Sequence, residues 1–248
     1  MGLCDDVRSS CAAIAASAKH VRIDLDRVTA IEPGPPPEID PESHFLEGSA
    51  EDVALYTLAL DSINFGSGWF PTLRKRPGCS GYYTVAAALT DRFRAHGPWS
   101  PTALAALDAA TVADVLGQER GHELMALYAK ALRQLGGFLG DRTALEATAA
   151  AEGSAERLAE QLVAGMPPFE DPGFYKRAQI VASDLTLAGV AQFGDVDRLT
   201  IFADNLVPHV LRVDGVLRYS RQLAATIDAG ELLPAGGAVP EIRASAGA

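Results

Sequence analysis

Apolar positions along this chain recur mostly at helical spacing and are interrupted by glycine and proline. From about Leu3 to Lys19 the sequence is Ala-rich without a breaker, which predicts a helix carrying Cys4 and Cys11 on one face. Val21-Arg22-Ile23-Asp24 alternates and predicts a short extended piece. Ile31 to Glu42 holds Pro33, Pro35, Pro36, Pro37 and Pro41, so it is irregular and predicted to wrap the surface. Ser49-Ala50-Glu51-Asp52 has the form of a capping box with Asp in place of the usual Glu or Gln. The helix it opens carries Val53, Leu55, Tyr56, Leu58, Leu60 and Ile63, and the glycines after Phe65 and then Pro71 end it. Ser80 or Gly81 begins a helix that stops at Gly97-Pro98, and Ser100-Pro101 pairs an N-cap with proline at the first helical position. Thr111 with Asp114 marks a further start, and Glu119 to Leu135 predicts a longer amphipathic helix closed by Gly136-Gly137. Ser154 caps a helix to about Ala164, and Gly173 to Ala188 predicts another, closed by Gly189. These elements add up to a mostly α fold: a single compact helical domain over residues 1–248 with minor extended segments.

Composition narrows the function classes. Hydrophobic residues make up 48% of 248 positions, enough for a substantial core. A formal charge of −11 repels polyanions, so no direct tRNA or DNA binding is expected, whereas one phosphate held by a few cations is compatible with it. Cys4, Cys11 and Cys79 are too few and scattered for a disulfide framework or a Cys-rich zinc site. The five histidines are dispersed, and His122 and His209 read as ordinary helix-surface or core-edge residues. There is no P-loop, GxGxxG, HExxH or nucleophile elbow, so neither metal nor cofactor is expected. No apolar run approaches a membrane span and no signal-peptide order opens the chain, which makes the cytoplasm the expected location.

Two polar clusters sit in apolar sequence near the C-terminal end: Phe174-Tyr175-Lys176-Arg177-Ala178-Gln179 and Phe202-Ala203-Asp204. An ammonium and a carboxylate there are costly to bury unless they meet a partner or a ligand. A helix from Phe174 aligns Phe174, Ala178, Val181 and Leu185, with Lys176 beside that stripe and Gln179 a turn further along. Asp204 precedes Pro208, which suits the start of a short helix. Two readings stand side by side: a Lys–Asp bridge stapling helices, or a pair that meets a ligand. Asp61 and Asn64 lie three apart on one helix face, with Asn64 a candidate C-cap and Asp61 open to solvation, and His44-Phe45 is a polar-plus-stacking pair suited to a heterocycle.

Taken in order, these segments resemble the queuosine salvage family, the queuosine 5′-phosphate N-glycosylase/hydrolases. The matching pieces are His44-Phe45, Asp61 to Phe65 with Trp69 and Pro71, Ser80-Gly81-Tyr82, Phe174 to Gln179, Phe202-Ala203-Asp204 with Pro208, Leu217-Arg218-Tyr219 and Glu241-Ile242-Arg243. The resemblance implies a fold related to helix-hairpin-helix DNA glycosylases and hydrolysis of queuosine 5′-monophosphate, a small-molecule substrate, to release queuine. It implies Asp204 as the catalytic carboxylate and Lys176 as its cationic partner. His44, Phe45, Asp61 and Asn64 would fall at or near the base pocket, with Tyr175, Arg177 and Phe202 as further substrate-binding candidates; Arg177 and Arg212 are candidates for the phosphate. A 7-deazapurine lacks N7, so donors elsewhere on the base edge must assist its departure. A nucleosidase for another modified purine and a non-catalytic deazapurine binder are the alternatives. The Gly-rich stretch Gly66 to Pro71 departs from the family's usual aromatic continuation, and the C-terminal part is expected to be shortened relative to the family.

Overall fold

The chain divides into two compact units, neither of them continuous in sequence. One comprises Met1–Pro36, Asp171–Gln179 and Arg198–Ala248, the other Pro37–Glu170 and Ile180–Asp197. The computed structural model describes residues 2–32, 34–234 and 236–248; of the proline-rich arm, Pro33 lies outside the described residues.

In chain order, α1 (Leu3–Ala16) is followed by β1 (Val21–Ile23) and the short α2 (Leu25–Val28). The proline-rich stretch is irregular as expected, and α3 (Ala50–Ser62) opens with the capping box formed by Ser49 and Asp52. Then come α4 (Gly81–His96), α5 (Pro101–Ala105) and α6 (Ala109–Val115), capped by the side chains of Ser80, Ser100 and Asp108. The long α7 (Glu123–Leu139) precedes α8 (Ala144–Ala149) and α9 (Ala155–Gly165). Lys176–Leu187 forms α10 and Leu206–Val213 forms α11. β2 (Leu217–Tyr219), α12 (Arg221–Asp228) and α13 (Ala238–Gly247) complete the order. The fold is mostly α, and strand is confined among the described residues to β1 and β2.

In the first unit β1 pairs antiparallel with β2, Val21 opposite Tyr219 and Ile23 opposite Leu217. Val21, Leu217, Leu223 and Ile242 form its core, and α13 packs along α1. Cys4 and Cys11 are both buried on the inner face of α1, as their spacing predicts.

In the second unit α3 is buried along every residue from Val53 to Ser62, which makes it the central element. α7 packs against α3, α5 and α6, and Leu124, Met125, Tyr128, Leu132, Leu135 and Leu139 of α7 are almost fully buried.

Three local expectations are corrected. Helix α7 does not stop at Gly136-Gly137 but continues to Leu139. A Cβ on Gly136 would lie 2.6 Å from both the Pro101 oxygen and the Ala105 nitrogen, so this glycine lets α5 approach rather than ending α7. The start read at Thr111 lies three residues earlier, because the Asp108 carboxylate accepts the Thr111 N–H at 2.7 Å. Helix α10 begins at Lys176, since Gly173 and Tyr175 both have positive φ, 83° and 47°, and the chain turns there.

Candidate active site

Lys176 and Asp204 meet in the first unit. The chain reaches Lys176 through a turn in which the Asp171 carbonyl accepts the N–H groups of Phe174 and Tyr175, at 3.0 and 2.8 Å. A non-glycine residue at positive φ is uncommon, so the left-handed Tyr175 is held there by its surroundings. Lys176 is thereby placed at the first position of α10, where a regular helix begun at Phe174 would have rotated it elsewhere.

Asp204 is delivered by a tight three-residue turn, the Ala203 N–H donating to the Ile201 carbonyl at 2.8 Å. Its two carboxylate oxygens have different partners. Oδ2 accepts from Lys176 Nζ at 2.7 Å and Oδ1 accepts the N–H of Leu206 at 2.8 Å, at the entrance to α11. Burial pushes the Asp204 carboxyl up, but the Lys176 hydrogen bond and charge, with the N–H groups of Leu206 and Val207, outweigh it and hold the group below the usual carboxylate range. The side chains of Lys176 and Asp204 keep 15% and 30% of their surface exposed. The pair is thus partly exposed, Asp204 more than Lys176.

Gln179 supports the same region. It is fully buried; its Oε1 accepts the Thr200 N–H at 2.8 Å and its Nε2 donates to Thr200 Oγ1 and to the Phe174 carbonyl at 2.9 and 3.0 Å. It therefore ties the segment before Phe202 to the turn before Lys176. Phe202, Tyr175 and Arg177 are half-buried. Arg212 is engaged by Asp228 at 2.8 Å and lies over the Tyr219 ring.

The remaining candidates, His44, Phe45, Asp61 and Asn64, lie in the second unit. His44 Nδ1 is 2.9 Å from the Asp40 carbonyl, which can only accept, so Nδ1 carries the proton. In the neutral ring Nε2 is then the acceptor for the Tyr82 hydroxyl, 3.0 Å away. His44, Tyr56, Asp61 and Asp184 line a cavity of about 10 Å³, room for one water but not for a purine ring. Asp61 is 1% exposed, so it is a wall of this cavity and not the solvated group the sequence allowed. Burial, together with the Asp61 and Asp184 carboxylates, pushes the Tyr82 phenol up. Phe45 is turned into the core, its ring 5.8 Å from Tyr56 and 5.5 Å from Phe93. Asn64 is half-buried just past the end of α3, its N–H on the Asp61 carbonyl at 3.3 Å.

Two residues that sequence reasoning left without a role lie close to the Lys176–Asp204 pair. Asp171 and Arg243 form a two-pronged ion pair at 2.9 and 2.6 Å. Neither an Asp before Pro172-Gly173 nor an Arg on a C-terminal helix carries a signal in isolation; only Arg243 belonged to a recognised segment. His122, read as an ordinary helix-surface or core-edge residue, caps α7: its Nδ1 accepts the Leu124 N–H, which leaves Nε2 to donate to Thr72 at 2.9 Å. His209 is exposed on α11, in keeping with the surface reading. Among the described residues no group of three or more His, Cys, Asp or Glu side chains is arranged to hold a metal ion, and no helix is long and apolar enough to cross a membrane.

A family model described as queuosine salvage protein matches residues 44–246. A protein of Sphaerobacter thermophilus named queuosine 5′-phosphate N-glycosylase/hydrolase is 34% identical over 248 residues, an alignment covering 90% of this chain and 76% of that protein. Proteins of the same name from Nematostella vectensis and Mus musculus are 37% and 35% identical over 95 and 92 residues, about a third of this chain and 27% of each relative.

Proposed function

Because the chain belongs to the queuosine salvage protein family, we propose that it hydrolyses the N-glycosidic bond of queuosine 5′-phosphate and releases queuine. The observation that supports this reading most directly is the Asp204 carboxylate, kept ionised by Lys176 at 2.7 Å yet still partly open to solvent. Breaking the bond between the anomeric carbon and the base nitrogen leaves positive charge on the ribose, and a preorganised carboxylate stabilises that charge where it develops. Water then adds its hydroxyl to the anomeric carbon, and its proton ends on the departing base. The products are ribose 5-phosphate and queuine.

Within this reading Asp204 and Lys176 are the catalytic pair. Tyr175, Arg177 and Phe202 are assigned to substrate binding, as the resemblance implies; it implies the same for His44, Phe45, Asp61 and Asn64, although Phe45 is packed in the core and the cavity at His44 and Asp61 has no room for a purine ring. The net charge of −11 favours a free mononucleotide over intact tRNA, and we place the reaction in the cytoplasm. The test is incubation of the protein with queuosine 5′-phosphate and detection of free queuine by mass spectrometry. Asp204→Asn keeps the shape and removes the charge, and is expected to lower kcat by at least ~10²-fold. Undiminished turnover by that variant overturns the catalytic assignment. Thermal stabilisation by queuine without any release by the wild type makes the protein a binder instead.

A further inference from the structure

Two short irregular pieces of chain present the Lys176–Asp204 pair, and one guanidinium from α13 meets both. Arg243 Nη1 and Nη2 donate to the two Asp171 oxygens at 2.9 and 2.6 Å, and Nε donates to the Ala203 carbonyl at 2.9 Å. The guanidinium carbon also stands 3.9 Å from the centre of the Phe174 ring. Asp171 is the residue whose carbonyl accepts the Phe174 and Tyr175 N–H groups, so fixing its side chain fixes the turn that leads into Lys176. The Ala203 carbonyl belongs to the rigid peptide plane that ends on the Asp204 nitrogen, so fixing it limits how Asp204 can swing. Three N–H bonds in fork geometry plus a stacked ring leave the guanidinium itself little freedom. Helix α13 gives it a firm base: Ile242 and Ala244 are buried on either side, and the Glu241 carboxylate accepts the N–H groups of Lys19 and His20 at 3.0 and 2.7 Å.

We propose that Arg243, with Asp171, is a positioning residue that sets the approach of Lys176 to Asp204. Its catalytic consequence rests on the glycosidase reading above; its geometric consequence does not. Arg243→Met keeps the length of the stem and removes all three bonds, and Asp171→Asn removes the charge of the anchor while keeping its shape. The measurements are kcat and KM for queuosine 5′-phosphate, the pH profile of kcat/KM, and an NMR titration of the Asp204 carboxyl in each folded variant. The expected result is a fall in kcat of about 10²-fold, the loss typical of a misplaced catalytic group, with KM changed by less than about threefold. The acid limb and the Asp204 titration both move to higher pH, because the carboxylate loses part of its contact with Lys176. Arg243→Lys recovers only a part, since one ammonium cannot reproduce the fork.

Unchanged kcat and an unchanged Asp204 titration in a folded variant overturn the proposal. A raised KM with unchanged kcat also overturns it and makes Arg243 a substrate-binding group. Should Arg243→Met fail to fold, Asp171→Asn decides by the same criteria. If the wild type releases no queuine, the functional reading fails, while the shift of the Asp204 titration between wild type and variant still decides the positioning role.

Discussion

Gly136 and Gly137 are neighbours in the same helix, and the structure gives them opposite fates on mutation to alanine. In Gly136→Ala the new methyl would sit 2.6 Å from the Pro101 oxygen and the Ala105 nitrogen, and 3.1 Å from the Ala105 Cα, whereas ordinary contact is 3.4–4 Å. These are backbone atoms, so α5 must retreat by about 1 Å from α7, and overpacking of this kind costs about 1–3 kcal/mol. The better helix propensity of alanine offsets about 1 kcal/mol of that. The net loss is up to about 2 kcal/mol, a fall in Tm of up to about 8 °C for a chain of this size. Gly137 is exposed, and a Cβ there meets nothing within 4 Å. Gly137→Ala therefore keeps the propensity gain of about 0.5–1 kcal/mol and raises Tm by about 1–4 °C. Calorimetry or circular dichroism on both variants under identical buffer reads the two shifts. Shifts of the same sign refute the account, because they would mean that close approach to α5 does not distinguish the two positions.

Lys176→Met removes the charge that lowers the Asp204 carboxyl: in the wild type the carboxylate stays ionised, and its stabilising effect persists, as pH falls through the ordinary Asp range, whereas in the variant both are lost at higher pH. The acid limb of kcat/KM for queuine release is expected to move up, and an unmoved limb would show that Lys176 serves something other than Asp204. Gln179→Leu strands the buried Phe174 carbonyl and the part-buried Thr200 N–H and is expected to cost about 1–3 kcal/mol in urea unfolding; a loss well below about 1 kcal/mol would mean that other partners take over. Ser49→Ala breaks the capping box of α3 and is expected to lower stability by about 1 kcal/mol, read as a Tm about 2–4 °C lower.

Local chemistry made much of the fold legible. Ser49, Ser80, Ser100 and Ser154 cap the helices their sequence announces, because a hydroxyl one position before a helix has a single obvious task. The meeting of Lys176 with Asp204 was also foreshadowed, since two opposite charges in apolar sequence are cheaper together than apart. What stayed hidden depends on partners distant in sequence. Gly136 looks like a stop signal until Pro101 and Ala105 are placed against it. Asp61 looks like a helix-surface acid until α3 is found to be buried all round. The start of α10 depends on the left-handed Tyr175, which no propensity favours and which the turn at Asp171 imposes. Arg243 has the same difficulty: its importance lies in what it touches, 40 and 72 residues earlier in the chain.

The pairing of β1 with β2 has a consequence for synthesis. Asp24, just past β1, bonds to Arg218 of β2, 194 residues later. At about 5–20 residues per second, the first strand and the inner face of α1 wait about 10–40 s on the ribosome before the segments that cover them emerge. The stretch Pro37–Glu170 of the second unit leaves the ribosome entirely within that interval. Over that interval the apolar faces of β1 and α1 lack the partners that later segments bring, and the Lys176–Asp204 pair can close only once Asp204 has emerged.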